Sequence, residues 1–405
     1  MKLIGLDVGT TGVKAIAISP AGEVLARVEH EYPLSTPQPG WAEQDPEDWW
    51  QASESALAEL GWKEGDPLGF SGQMHGLVAL GADDAVLRPA ILWNDQRTAA
   101  ECAAIEERVG LPRLIELTGN RALAGFTAPK LLWLRRHEPE VYERIAHVLL
   151  GGAGDQAAGA LGVGIDRPGR LSVVLGTSGV VFAVLPAFAA DAQARLHSFC
   201  HAVPGTWHAM GVMLSAAGSL RWLRDVLGAG YDALLADAAE WPPGTEGVLF
   251  APYLAGERTP HPDPDARGAF TGLALHHDRG ALARGVLEGV AFGLRDSLEL
   301  LAELGVEPTV ARVSGGGARS ELWLRIVASV LGLPLERTAV EEGAAFGAAL
   351  LGGVAAGVFA SAEEAVAACV RVRYQVEPDP AWAAAYEEAY VRYRTLFPAL
   401  KSVRL

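Results

Sequence analysis

The sequence predicts an α/β protein made of two related lobes. Three observations carry that reading. A glycine-rich hairpin opens the chain as Leu3-Ile4-Gly5-Leu6-Asp7-Val8-Gly9-Thr10-Thr11-Gly12-Val13-Lys14. A second copy follows as Leu171-Ser172-Val173-Val174-Leu175-Gly176-Thr177-Ser178-Gly179-Val180-Val181. Short apolar strands alternate with helical patterns after each copy. The chain has 405 residues, half of them hydrophobic, which is enough for two or three domains with large cores.

The elements follow in order. Residues 2–7, 12–18 and 24–31 read as three successive strands, broken by Gly9-Thr10-Thr11 and by Ser19-Pro20-Ala21-Gly22. Asp45-Pro46 starts a helix, with Asp as cap and Pro in the first turn. Leu68 to Ser71 is a strand running into Gly72-Gln73-Met74-His75-Gly76, and 77–80 and 91–93 are further short strands. Residues 96–109 and 129–137 are predicted helices. The second lobe starts near Arg170. Leu282, Val286, Val290, Leu294, Leu298 and Leu301 recur at helical spacing, so 281–304 is a helix stopped by Gly305. Val310 to Ser314 is a strand feeding Gly315-Gly316-Gly317-Ala318, then a helix over 320–331 and another over 343–351. An amphipathic packing helix is expected at about 379–396. The expected domains are 1–166 and 167–405.

Charge and composition exclude several classes. The net charge of −16 disfavours nucleic acid and anionic membrane as partners. Cys102, Cys200 and Cys369 are scattered and form no metal motif or disulfide framework, which fits a reducing cytoplasm. Gly343 to Ala360 is uncharged and nearly long enough to span a bilayer, but it is mostly Gly and Ala and reads as a buried helix.

The turns suggest chemistry. A Gly-Thr-Thr/Ser-Gly turn offers backbone N–H groups and hydroxyls in a nest free of bulky side chains, which suits phosphate oxygens. Two such turns facing each other would hold one polyphosphate, which points to an ATP-using enzyme. Asp7, at the end of a strand, either caps the turn or holds Mg²⁺ beside phosphates. Asp155, after Gly151-Gly152-Ala153-Gly154, either caps a helix or takes a proton from a substrate hydroxyl. Met74 and His75 on a glycine-flanked turn either meet a polyol or are structural. Gly256-Glu257-Arg258-Thr259-Pro260 is either a charged loop at a cleft or a surface turn. The glycines at 315–317 permit close approach of a flat ligand or a phosphate, or merely make a tight turn.

Taken in order, these segments resemble the FGGY carbohydrate kinases, most closely the branch acting on xylulose. The match also includes Trp41-Ala42-Glu43-Gln44-Asp45-Pro46, Ile91-Leu92-Trp93-Asn94-Asp95, Gly125-Phe126-Thr127-Ala128-Pro129-Lys130, Met213-Leu214-Ser215-Ala216-Ala217 and Tyr253-Leu254-Ala255-Gly256-Glu257-Arg258-Thr259-Pro260. The resemblance implies a two-lobed actin-like, ribonuclease-H-like ATPase fold with a cleft between lobes. It implies transfer of the γ-phosphate of ATP, with Mg²⁺, to D-xylulose in the cytoplasm, and a possible homodimer. The N-terminal lobe would bind sugar and the C-terminal lobe nucleotide. By position, Asp155 matches the general base and Asp7 the metal- and phosphate-side carboxylate. Met74, His75 and Gln156 match sugar contacts. Thr10, Thr11, Gly176, Thr177 and Ser178 match the phosphate turns, and Gly315, Gly316, Gly317 and Ala318 the adenosine site. Two departures stand out. Gln156 replaces the Asn common after the base in this branch. The chain also lacks several dozen residues that relatives carry between Leu150 and Gly151, part of the sugar-binding lobe.

Overall fold

The computed structural model describes residues 1–149, 153–341 and 343–403. Leu150, Gly151 and Gly152, where the resemblance places the missing segment, lie outside the described residues. The chain forms two compact units: residues 1–166, 200–206 and 342–370 make unit 1, and the remainder makes unit 2. The chain therefore crosses between units more than once.

Unit 1 is a five-stranded sheet in the order β3-β2-β1-β4-β5. Its strands are β1 (Leu3–Val8), β2 (Gly12–Ile18), β3 (Val24–Glu31), β4 (Leu68–Gly72) and β5 (Ala153–Gly154). β1 pairs antiparallel with β2, and β2 with β3, whereas β4 runs parallel to β1 and β5 parallel to β4. Helix α1 (Pro46–Glu59) starts where expected, with the Asp45 carboxylate accepting from the N–H of Glu47. The predicted helix over 96–109 begins later, at Ala99. Asp95 explains the delay: its carboxylate binds the N–H and guanidinium of Arg97, which fixes a turn there. Helix α2 (Thr127–His137) follows, and α3 (Asp155–Gly162) leaves directly from β5.

Unit 2 repeats the same plan. β6 (Arg170–Leu175), β7 (Gly179–Leu185), β8 (His197–Cys200), β9 (Trp207–Met213), β10 (Val310–Ser314), β11 (Leu335–Thr338) and β12 (Val372–Val376) form one sheet in the order β8-β9-β7-β6-β10-β11-β12. Within it, β9-β7-β6-β10-β11 has the strand order and directions of the unit 1 sheet: two antiparallel pairs, then two parallel ones. Helix α4 (Arg279–Glu303) lies in the core of this unit, and α5 (Glu321–Leu331) is capped by the Ser320 hydroxyl and ended by Gly332. The main core includes Val286, Val290, Phe292, Trp323 and Tyr386, all at most 1% exposed.

The uncharged run after Gly343 becomes α6 (Gly343–Ala355), which packs in unit 1 against β1, β4 and α3. Small residues permit an approach that no larger side chain would allow. A Cβ at Gly5 would stand 1.8 Å from the Ala345 carbonyl oxygen, and one at Gly347 would stand 1.9 Å from that of Ala158. The composition of this run thus reflects helix-on-sheet contact, and no described helix is long and apolar enough to cross a membrane. In unit 2, α7 (Pro380–Tyr393) buries Tyr386, Tyr390 and Tyr393, matching the expected packing helix.

Candidate active site

Both glycine turns are hairpins between the first two strands of their units, and both have their carbonyls tied back. In unit 1, Gly9 donates its N–H to the Gly12 carbonyl (3.0 Å). The Gly9 carbonyl accepts from Tyr32 Oη and from Gln73 Nε2 (3.3 Å), and the Thr10 carbonyl from Gln44 Nε2 (2.8 Å). In unit 2, the Thr177 carbonyl accepts from the N–H of Ala216 (2.9 Å) and Gly218 (3.1 Å), and the Gly176 carbonyl from Ala217 (2.8 Å). The N–H groups of Thr10, Thr11, Gly176, Thr177 and Ser178 have no acceptor among the described residues. With carbonyls satisfied and amides left over, each turn presents donors for an anion. The Thr10 hydroxyl is itself engaged: it accepts from Trp93 Nε1 (2.9 Å) and donates to Gln73 Oε1 (3.3 Å). Thr11 is exposed.

Asp7 sits near the end of β1, across from Lys14 on one side and Ser71 on the other. The Ser71 hydroxyl donates to its Oδ1 (2.8 Å), and burial raises the carboxyl above its ordinary value. Asp155 is the first residue of α3 rather than its cap, a position taken by Gly154. Burial, and next the negative charge of Asp7, push its carboxyl up to about 6. Gln156 opposes this by hydrogen bonds to the carboxylate. Asp7 and Asp155 are half-buried hard oxygen donors, the negative charge of Asp7 acts on Asp155, and Asp7 keeps one oxygen clear of Ser71. These residues therefore fit a divalent cation such as Mg²⁺.

Met74 and His75 stand on the turn after β4, in the same unit as Asp155. A Cβ at Gly154 would lie 2.8 Å from Met74 Cγ, so the thioether side chain rests on bare backbone next to Asp155. His75 adopts a left-handed backbone, φ 63°. Its carbonyl accepts from Lys130 Nζ (2.7 Å) and Thr127 Oγ1 (3.3 Å), and its ring packs on Phe126 at 4.4 Å between centroids.

Segments distant in sequence converge in the same unit. The Arg97 guanidinium lies 3.6 Å from the Trp41 ring centroid and pairs with Asp95 (2.7 Å) and Glu43 (2.7 Å). Arg88 adds a second bond to Glu43. Gln73, Trp93, Tyr32 and Lys130 are contributors that sequence reasoning gave no role. Gln73, Trp93 and Lys130 lie inside motifs of the family resemblance and Tyr32 does not, but only tertiary contacts reveal what they hold.

In unit 2 the glycines at 315–317 abut the second turn. Gly315 has φ 89°, and a Cβ there would stand 2.7 Å from the Leu175 carbonyl carbon. The expectation of open space for a ligand holds at Gly316, where an added Cβ meets nothing within 4 Å. Gly317 is different: its Cβ would meet Leu175 Cβ at 2.9 Å and the Trp323 ring at 3.0 Å, so bare backbone there serves packing. A cavity of about 270 Å³ adjoins this turn, lined by Ala318, Glu321, Leu324, Arg337 and Tyr374 among others. The Gly256–Pro260 loop is no surface turn. Glu257 is buried, accepts from the N–H of Leu214 (3.0 Å) and Arg258 (2.8 Å), and burial pushes its carboxyl up to about 8.

The paired acidic site and the duplicated phosphate-type turns define a kinase of the actin-like ATPase class. Residues 2–162 match the N-terminal domain, and 171–356 the C-terminal domain, of the FGGY family of carbohydrate kinases. The chain belongs to that family, whose members use ATP. It is 40% identical to the xylulose kinase of Escherichia coli K12, covering 87% of this chain and 90% of that one. It is 33% identical to the xylulose kinase of Lactococcus lactis subsp. lactis, covering 98% and 96%. The crystal structure of a xylulose kinase from Rhodospirillum rubrum superposes with a TM-score of 0.91 at 31% identity, covering 99% of each chain. The two sequence alignments run over 436 and 483 positions, more than the 405 residues here, so dozens of positions in the relatives face no residue of this chain.

Proposed function

We propose that the protein phosphorylates D-xylulose with ATP, giving D-xylulose 5-phosphate. The observation that carries this reading is the cluster in unit 1: a half-buried Asp155 whose carboxyl is pushed up to about 6, with Met74 seated on the adjacent Gly154. Long identities to several xylulose kinases support the choice of sugar.

Asp155 is the general base. With its carboxyl near 6 it is mostly ionised at pH 7, yet basic enough to take the proton of a sugar hydroxyl as that oxygen attacks phosphorus. Met74 packs on the carbon chain and His75 bonds a hydroxyl. Unit 2 holds the nucleotide: the amides of Gly176, Thr177 and Ser178 bind phosphate, and the open backbone at Gly316 with the neighbouring cavity takes the adenosine. Asp7 would hold Mg²⁺, which when bound offsets negative charge on the phosphates. The cysteines are free thiols, as suits a cytoplasmic enzyme. A homodimer belongs to the same reading, and sedimentation would test it.

The shortening after Leu150 favours a second reading, a kinase for another ketose or polyol, or a binding protein without turnover. A coupled ADP-release assay separates them, using D-xylulose, D-ribulose, L-ribulose and glycerol. We expect the highest kcat/KM for D-xylulose, and its near loss in His75→Ala with background ATP hydrolysis retained. Equal or better activity with another acceptor overturns the choice of sugar, and no activity with any supports the binding protein.

A further inference from the structure

We propose that Lys130 is a positioning residue that sets sugar affinity by holding the main chain of His75. The inference rests on the sugar-binding role of Met74 and His75 given above.

His75 is the start of the argument. A left-handed backbone costs a residue with a Cβ roughly 1 kcal/mol, so its surroundings must enforce it. The first turn of α2 supplies three restraints: the Phe126 ring on the imidazole, the Thr127 hydroxyl on the carbonyl, and the Lys130 ammonium on the same carbonyl. The Lys130 bond is the shortest of these polar contacts, at 2.7 Å. Its Nζ also donates to the Gly125 carbonyl (2.7 Å). Gly125 in turn lies so close to the Trp93 carbonyl oxygen that a Cβ would stand 2.3 Å away, and the Trp93 indole donates to Thr10. One amine therefore joins the sugar turn to the loop that braces the phosphate turn.

The setting makes a purely structural role expensive. Lys130 is fully buried, and withdrawing an ammonium from water costs several kcal/mol. No carboxylate among the described residues bonds it: Asp95, whose charge acts on it, is engaged by Arg97 and by the N–H of Ala42 (2.7 Å). Burial lowers its amine to about 7, with Asp95 opposing and Arg97 adding to that fall. A methionine would fill the same space at less cost. What the amine adds is its grip on two carbonyls, one of them belonging to His75.

The test is steady-state kinetics of Lys130→Met and Thr127→Val, with folding checked by circular dichroism. Losing a charge-assisted hydrogen bond corresponds to a rise in sugar KM on the order of 10–100-fold. The KM for ATP and sugar-free ATP hydrolysis should change by less than about twofold. Thr127→Val, which removes the longer bond, should raise sugar KM by roughly two- to fivefold. A folded Lys130→Met with unchanged sugar KM, or with equal losses for both substrates, overturns the proposal. If that variant does not fold, an unchanged sugar KM in Thr127→Val does so. Wild-type protein that phosphorylates no sugar defeats the sugar reading itself, a result distinct from either.

Discussion

Met74 lies on the bare α-carbon of Gly154: a Cβ there would be 2.8 Å from Met74 Cγ and 3.2 Å from its sulfur. The glycine before Asp155 thus lets a side chain from the turn after β4 come down beside the carboxylate at the start of α3. Met74 and Asp155 are set against each other by the absence of one methyl group.

Gly154→Ala should therefore disturb catalysis more than folding. The clash involves Cγ, not only the flexible end of Met74, so the side chain must swing away. Overpacking of this kind costs about 1–3 kcal/mol. Expressed at the site, it should lower kcat/KM for D-xylulose by roughly tenfold or more, with ATP affinity by calorimetry unchanged.

Asp155→Asn should lower kcat on the order of 10²–10⁴-fold while ATP still binds. In the wild type, kcat/KM for the sugar should fall as pH drops through about 6, where the base becomes protonated. Stability should show the opposite dependence. The folded carboxyl at about 6 lies above its ordinary value of 3.8, so the native state binds the proton more tightly than the unfolded one. Its contribution is present at low pH and lost as pH rises through about 6. The asparagine variant escapes this penalty, of the order of 2–3 kcal/mol. It should melt above wild type at pH 7 and lose that advantage by pH 4.

Gly316 and Gly317 should separate ligand binding from packing. Gly316→Val projects into open space and should weaken ATP binding without unfolding the protein. Gly317→Ala drives a methyl against Leu175 and Trp323, and should cost about 1–3 kcal/mol of stability. Calorimetry and thermal melts on both variants check the contrast, and equal behaviour would contradict it.

Gln73→Leu should loosen the first turn. The Gln73 amide bonds the Gly9 carbonyl, Gln44 Oε1 (3.2 Å) and the Thr10 hydroxyl, from a buried side chain. Leucine removes these bonds, leaving the Gly9 carbonyl to Tyr32 and the Thr10 hydroxyl to Trp93, at a cost of about 1 kcal/mol. Lower denaturant resistance together with a raised KM for ATP is expected, measured by urea melts and initial rates.

Much of this molecule was readable from local chemistry. The Gly-Thr turns, the cap at Asp45 and the strand Val310–Ser314 all follow from residues close in sequence. Such signals survive because a turn or cap is decided within a few residues. The repeat of the hairpin correctly signalled two sheets of one plan.

Long-range contact decided the rest. The sequence shows a polar residue at 155 but not that Asp7 and burial raise its carboxyl. It shows three glycines in a row but not that one faces open space while its neighbour faces Trp323. It gave Lys130 no role, because that role depends on carbonyls at Gly125 and His75, the latter 55 residues away. The helix Gly343–Ala355 returns to unit 1, across almost the whole length of the chain from β1. Side-chain type and spacing fix what a residue can do; which partner it meets depends on how distant segments pack, and that information lies in the tertiary structure.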